Sequence, residues 1–521
     1  MRILERGSRR AIRALDAVAT RVFGWSANPV HQTGTVAVAM LLVLIGTGLY
    51  LLIFYRVGSP TASVARLAAD PWLGGWLRSL HRYSSDIFVI AVVLHALRMF
   101  AQSRATGPRT LAWVSGLGLF GIGLACAWTG FVMAWDSFGE RLAREGSRLL
   151  DALPIFSEPL SRIFAGDAPV PSAFFFVNLF LHIALPLAVG AGLWLHVSRL
   201  ARPALLPPRP LMWGMIGALT AAAIFFPATL GDPADPFRLA ESTPANLVTA
   251  WWLPLSERLT PGTAWTAVLV VAALALLVPR FTRRPRTGSL APSVVDTRLC
   301  TGCNQCPQDC PWEAITMVPR TDDRPTLVAL VDPSRCVSCG ICAGSCAPMG
   351  VGPPGYNGRD QLIAVRSALS VERVSDNPVS IVAICCAQAP PSHAAALGAR
   401  GARIHSVPCV GNLHSSVVES LLRAGAPGVI VCGCPPRDCA GREGPKWLHE
   451  RLFNDREAEL QSRVDRRRVG TATLAAGDLR GTLSAFDVFG RAVAALERAR
   501  REPDVDLEVV CEPVPFAKAD A

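Results

Sequence analysis

The sequence predicts a multidomain chain: an α-helical membrane bundle of six spans, then a small cysteine-dense α+β module, then a small α/β open-sheet domain. Three observations carry this reading. Apolar residues make up 51% of the 521 and are concentrated before residue 281, in runs long enough to cross a bilayer core. Fifteen of the 16 cysteines come after that point; only Cys126 precedes it. Beyond the densest cysteine runs, short β-branched stretches alternate with helix-like ones. A mean hydropathy of +0.34 excludes a purely soluble protein, and the length exceeds one domain.

Residues 1–33 are basic and amphipathic (Arg9, Arg10, Arg13, Arg21) and lack the apolar core of a cleavable signal. They are expected to form a cytoplasmic N-terminal segment. The membrane domain is expected over 34–280, with spans near 34–55, 82–103, 111–135, 174–198, 210–229 and 262–279. Arginines mark alternate loops: the N-terminus, Arg104 and Arg109, then Arg199, Arg202 and Arg209, then Arg280, Arg283, Arg284 and Arg286. This places both termini, and everything after 280, on the cytoplasmic side of the inner membrane. The net charge of +11 is read as membrane-flanking. With no aromatic–basic interleave and no finger spacing, nucleic acid is excluded as a partner.

Four histidines form two pairs, His81 with His95 and His182 with His196, each 14 residues apart on the second and fourth spans. Fourteen residues are almost four helical turns, so both members share a face, about 21 Å apart along the axis. Two such helices offer two stacked bis-imidazole sites, the axial ligation a haem iron requires. Gly34 and Gly48 on the first span, and Gly116 and Gly130 on the third, repeat the 14-residue interval. Glycine admits the close approach that a haem edge needs. Arg78 and Arg98, each three residues from a histidine, are candidate partners for haem propionates. Gly116-x-Gly118-x-x-Gly121 matches a dinucleotide pattern but lies inside a span with no strand before it, so it is rejected. No nicotinamide or flavin site is read anywhere in the chain.

Residues 30–200 resemble the cytochrome b of bc-type quinol oxidoreductases. The residues that carry the resemblance are Arg78-x-x-His81, His95-x-x-Arg98, His182-x-x-x-Pro186, His196 and the four glycines. The resemblance implies two b haems, one held by His81 and His182, the other by His95 and His196. It extends to Leu230-Gly231-Asp232-Pro233 and Thr249-Ala250-Trp251-Trp252, which look like the border of the family's outer quinol site. There Ala250 stands where the family has a proton-accepting glutamate. Ala134-Trp135-Asp136 replaces Pro-Trp-Gly, and Ala201 replaces a histidine expected near a quinone. Haem binding therefore carries over, and a bifurcating quinol site does not. A plainer quinone site is expected without a position, with Asp136 and Glu140 as candidate outer proton groups.

After a Pro/Arg/Ser-containing linker at 281–297 comes the cysteine-dense module, 298–350. Cys300-x2-Cys303-x2-Cys306-x3-Cys310-Pro311 is followed by Cys336-x2-Cys339-x2-Cys342-x3-Cys346-Ala-Pro348. Three closely spaced thiolates cap three irons of one cubane, and the fourth ligates the other. One [4Fe-4S] cluster is thus expected on Cys300, Cys303, Cys306 and Cys346, the second on Cys336, Cys339, Cys342 and Cys310. Zinc, which prefers two paired-cysteine knuckles, fits this triplet poorly. The module resembles bacterial two-[4Fe-4S] ferredoxins.

Residues 375–480 read as the α/β domain, with β-like runs at Val379–Ile384, Ile404–Val407 and Val429–Val431. Cysteines follow each run, which suits ligands at the carboxyl ends of parallel strands. Val407-Pro408-Cys409, the run from Gly428 to Cys434, and Asp438-Cys439 resemble the delta subunit of methyl-viologen-reducing hydrogenases. That resemblance implies a [2Fe-2S] centre on Cys386, Cys409, Cys434 and Cys439. It also implies docking on a heterodisulfide-reductase-like or hydrogenase-like flavin/iron–sulfur subunit. The chain departs from the pattern at Ala383-x-x-Cys386 and Cys439-Ala440-Gly441, and a docking domain with buried thiols is the alternative. A C-terminal helix and charged tail are expected over 481–521.

Together these readings predict a membrane electron-transfer subunit, an oxidoreductase component with no acid–base catalytic residue of its own. It would link a cytoplasmic oxidoreductase to membrane quinone, with a second copy of the chain as a further partner. A self-sufficient ferredoxin-like:quinone reductase and a redox sensor are the open alternatives.

Overall fold

In a computed structural model the described residues are 2–155, 157–164, 169–235, 246, 248–281, 291–372 and 380–501. They divide into two compact units. Unit 1 comprises 1–9, 32–198 and 204–283; unit 2 comprises 10–31, 199–203 and 284–521.

The chain opens with helix α1 (Arg2–Phe23). Unit 1 then follows as α2 (Thr33–Phe54), α3 (Pro60–Ala69), α4 (Gly74–Ala101), α5 (Thr110–Ala134), α6 (Ser137–Asp151), α7 (Ser172–Val197), α8 (Arg209–Phe225), α9 (Leu253–Ser256) and α10 (Pro261–Phe281). Helix α2 packs chiefly on α4, and α5 on α7. The α2–α4 seam is built from Val36, Ala37, Ala39, Met40 and Ala91, mostly small residues that let backbones approach. Among the described residues five helices are long and apolar enough to cross a membrane: α2 with the turn before it, α4, α5 with the turn before it, α7 and α10.

The expected sixth span, 210–229, is a shorter apolar helix. It forms the 17-residue α8, about 26 Å long against a core of about 30 Å. Pro227 ends it by disfavouring helical geometry in Phe226, whose φ is −131° and ψ 69°.

Helix α5 stops at Trp135, which adopts left-handed geometry with φ 48°. Asp136 then caps α6 by accepting from the Gly139 N–H at 2.9 Å and also accepts from the Gly231 N–H at 3.0 Å. Ala250 is buried against Val132, Phe138, Leu142, Ala143 and Leu253, where a small side chain fits.

Unit 2 continues as β1 (Val294–Val295), α11 (Gln305–Asp309), β2 (Ile315–Val318), β3 (Val328–Val331), α12 (Ile341–Gly344), β4 (Val351–Gly352), α13 (Gly358–Glu372), β5 (Val382–Cys386), α14 (Pro391–Ala399), β6 (Arg403–Val407), α15 (Ser415–Arg423), β7 (Val429–Gly433), α16 (Gly444–Phe453), β8 (Val469–Thr473) and α17 (Leu479–Arg501). Two antiparallel ribbons, β1–β4 and β2–β3, frame the cysteine-dense module. Of the stretch read as a linker, 282–290 lies outside the described residues, while Val294 and Val295 belong to β1.

The last domain is a four-stranded parallel sheet of order β6-β5-β7-β8. Its central strands β5 and β7 are buried throughout, as expected of a sheet covered on both faces. Strand β8 was not read from the sequence, because Val-Gly-Thr-Ala-Thr is short and carries little apolar signal. Val379 and the tail after Arg501, including Cys511, lie outside the described residues.

Residues 10–31 belong to unit 2. The Asp16 carboxylate meets His31 Nε2 at 2.6 Å, with both side chains buried. Asn28 Nδ2 donates to Asp16 Oδ1 at 2.8 Å and to Thr20 Oγ1 at 2.9 Å. Gly477, at φ +86°, leaves no room for a Cβ beside the Ala17 carbonyl. The Arg-rich N-terminal segment is therefore more than a membrane-flanking stretch.

Candidate haem and iron–sulfur sites

Because α4 and α7 are continuous over 28 and 26 residues, the 14-residue interval acts as a ruler. His81 faces His182 with ring centroids 6.3 Å apart, and His95 faces His196 at 6.5 Å. Two in-line metal–imidazole bonds of about 2 Å each, plus two ring radii of about 1.1 Å, span about 6.2 Å. The spacing fits one iron between each pair.

The other ring nitrogen of every histidine lies beside a hydroxyl. Thr47 Oγ1 is 2.9 Å from His81 Nδ1, Thr33 Oγ1 is 3.4 Å from His95 Nδ1, Thr129 Oγ1 is 3.0 Å from His182 Nδ1, and Ser115 Oγ is 3.0 Å from His196 Nδ1. His182 Nδ1 also lies 3.1 Å from the Cys126 carbonyl. Engaging Nδ1 frees Nε2 for a metal and fixes the ring's orientation.

The glycines serve the rings directly. A Cβ on Gly34 would lie 3.0 Å from His95 Cε1, and on Gly48 3.3 Å from His81 Cε1. On Gly116 it would lie 3.1 Å from His196 Cε1, and on Gly130 2.9 Å from His182 Cε1. The hydroxyl residues were missed in the sequence, although a signal existed: Thr33, Thr47, Ser115 and Thr129 each immediately precede one of the four glycines. Of the candidate propionate partners, Arg98 is buried at 2% exposure. Arg78 donates from Nη2 to the Ala228 carbonyl at 2.5 Å.

The cysteine-dense module brings its thiols together in two sets. One hollow is lined by Cys310, Cys336, Cys339 and Cys342. Another is lined by Cys300, Cys303, Cys306 and Cys346. In each, three cysteines come from one run and the fourth from the other.

Backbone and hydroxyl groups point at the sulfurs. Ala314 N–H lies 3.4 Å from Cys310 Sγ, Gly350 N–H 3.3 Å from Cys346 Sγ, and Ser293 Oγ 3.3 Å from Cys342 Sγ. Burial, reinforced by neighbouring thiols, pushes the Cys306 and Cys342 thiols above their usual range. An iron ion replaces those protons on binding.

In the last domain Cys386, Cys409, Cys434 and Cys439 lie at or just beyond the carboxyl ends of β5, β6 and β7, all buried. Cys434 Sγ is 3.4 Å from Cys386 Sγ. Cys409 and Cys439 share the start of α16: a Cβ on Gly444 would lie 2.8 Å from Cys409 Sγ and 3.2 Å from Cys439 Sγ. The Cys439 thiol is held below its usual range by Cys409, aided by the Gly444 and Gly441 N–H groups.

Cys385 and Cys432 are register neighbours on β5 and β7. Strand alternation turns Cys385 away from Cys386, so the second cysteine of that doublet is the one that joins the set. Four buried thiols at helix and strand ends suit a small iron–sulfur centre.

Three stretches match known families. Residues 23–203 match cytochrome b/b6/petB, residues 299–350 the 4Fe-4S dicluster domain, and residues 381–497 the delta subunit of methyl-viologen-reducing hydrogenase. The chain is thus a fusion of these three kinds of module. A solved structure described as "Hyperthermophilic respiratory Complex III" aligns with 48% of this chain and 75% of that one, at 19% identity and a TM-score of 0.36. The family matches and the five apolar helices make this a membrane electron-transfer protein that binds haem b and iron–sulfur clusters.

Proposed function

We propose that the chain passes electrons between a cytoplasmic oxidoreductase and the membrane quinone pool. Haem iron and iron–sulfur clusters supply one-electron uptake and release when bound. Cys386, Cys409, Cys434 and Cys439 hold a [2Fe-2S] centre that receives electrons from a heterodisulfide-reductase-like flavin/iron–sulfur subunit. The two thiol sets of the dicluster module relay them to the pair His95/His196, and His81/His182 serve the opposite membrane face. Six spans, with both termini and all iron–sulfur modules cytoplasmic, fit the arginine placement. Asp136 and Glu140 are the outer proton groups. Flow in the reverse direction uses the same sites.

The observation that carries this reading is the two pairs of facing imidazoles, 6.3 and 6.5 Å apart, on a chain that continues into twelve thiols grouped in fours. The test is anaerobic purification with haem and iron analysis, visible spectra and EPR. The expected content is two b haems, two [4Fe-4S] and one [2Fe-2S]. A preparation without haem, or with zinc in place of iron, overturns the proposal. A neighbouring flavoprotein that co-purifies and reduces the haems would identify the donor.

A further inference from the structure

Unit 2 contains three thiol sites, and their neighbours differ. Between Cys339 and Cys409 stands one glycine. A Cβ on Gly441 would lie 3.2 Å from Cys339 Cβ and 3.6 Å from Cys409 Sγ. Ile341, which lines the Cys310/Cys336/Cys339/Cys342 hollow, also approaches Gly411 and Gly441. Asn412 Nδ2 donates to the Gly340 carbonyl at 3.1 Å. This set is therefore walled on one side by the loops that carry Cys409 and Cys439.

On another side the same set meets the short segment 199–203, which belongs to unit 2 and begins three residues after His196 in the chain. The Ala201 N–H donates to the carbonyl of Pro311, the residue after Cys310, at 3.2 Å. Arg202 binds Glu443 through both carboxylate oxygens, at 2.7–3.1 Å, and donates to the Gln308 carbonyl at 2.9 Å. Its guanidinium lies 5.4 Å from the Trp447 ring centroid. One arginine thus clasps both iron–sulfur modules. Such a bidentate fork is geometrically specific.

The set Cys300/Cys303/Cys306/Cys346 has different surroundings. Cys303 is exposed, whereas none of Cys310, Cys336, Cys339 and Cys342 is. Its ties to the last domain include His414 Nε2, 3.2 Å from the Cys346 carbonyl, and Arg451, which donates to Ser345 Oγ at 3.0 Å.

We infer that the site of Cys310, Cys336, Cys339 and Cys342 is the junction of the electron path, held to segment 199–203 by Arg202 as a positioning residue. The site of Cys300, Cys303, Cys306 and Cys346 is a side branch open to water. The inference rests on the electron-transfer reading and replaces a linear order of clusters with a branched one. Each step moves one electron, oxidising one site as it reduces the next, with no bond made or broken. The donor is a low-potential flavin or iron–sulfur protein.

The experiment uses the full chain in detergent, reduced by a photoreduced flavin, with haem reduction followed by absorbance and the clusters by EPR. Arg202→Ala is expected to slow haem reduction tenfold or more while all cluster EPR signals keep their shape, and Arg202→Lys to recover part of the rate. Cys339→Ser is expected to abolish rapid haem reduction. An aqueous dysprosium chelate should broaden the signal of the Cys303 site and spare the Cys339 site. An unchanged rate in Arg202→Ala or Cys339→Ser, or equal broadening of both sites, overturns the junction. Haem and iron content of the same samples separates the two proposals: missing cofactors in the unaltered chain overturn the electron-transfer reading itself.

Discussion

The histidines of unit 1 stand on helices of 28 and 26 residues, and each ring is steadied by one side-chain hydroxyl. The cysteines of unit 2 stand on turns, strand ends and helices of only five or four residues, steadied largely by backbone N–H groups. A rigid helix turns a sequence interval into a distance, so two sites can be set by counting. A thiol set on turns is closed by topology: Cys310 and Cys346 reach the opposite run only because the module folds back on itself. The first arrangement is sensitive to side chains one layer behind the ligand, the second to loss of the loops' packing.

The largest effects should come from ligand removal. His95→Ala should lower haem content from two to one per chain by pyridine haemochrome assay, and retention of both haems would break the helix-ruler account. Next is Arg451, 1% exposed, which donates to Ser345 Oγ at 3.0 Å and the Gly411 carbonyl at 2.8 Å. Arg451→Met should cost about 3 kcal/mol of unit 2 stability by leaving buried acceptors unpaired. Denaturant unfolding followed at the iron–sulfur absorbance checks it. Thr47→Val removes the hydroxyl at His81 and should weaken metal-site affinity by about 10–100-fold, read as faster haem loss to apomyoglobin from the His81/His182 site alone. The smallest is a contrast between two glycines on one helix. Gly130→Ala, against His182, should cost about 1–3 kcal/mol through overpacking. Gly121→Ala, with open space at its Cβ, should be neutral in the same haem-loss assay.

Much of this was legible because helix geometry is periodic. The histidine and glycine intervals, and the grouping of thiols by threes and one, follow from spacing alone. Strand β8 was not legible, since an edge strand paired with the buried β7 needs little apolar sequence of its own. The shortness of α8 was written in Pro227 but outweighed by the apolar run around it. The hydroxyls at Thr33, Thr47, Ser115 and Thr129 were visible as a repeated pair with glycine, yet carry meaning only once the facing ring is known. Arg202 was read as a topology marker; its clasp on Glu443 joins residues 241 positions apart, and no local pattern announces it.

The contact between Asp16, His31 and Asp438, whose ligand-type atoms lie within 4.8 Å of one another, bears on the order of synthesis. A ribosome makes the first two of these residues more than 400 positions before the third. At about 5–20 residues per second, roughly 20–80 s separate them. Throughout that interval Asp16 and His31 lack the Asp438 side of their contact. Completion of the last domain is thus what closes the contact around Asp16 and His31.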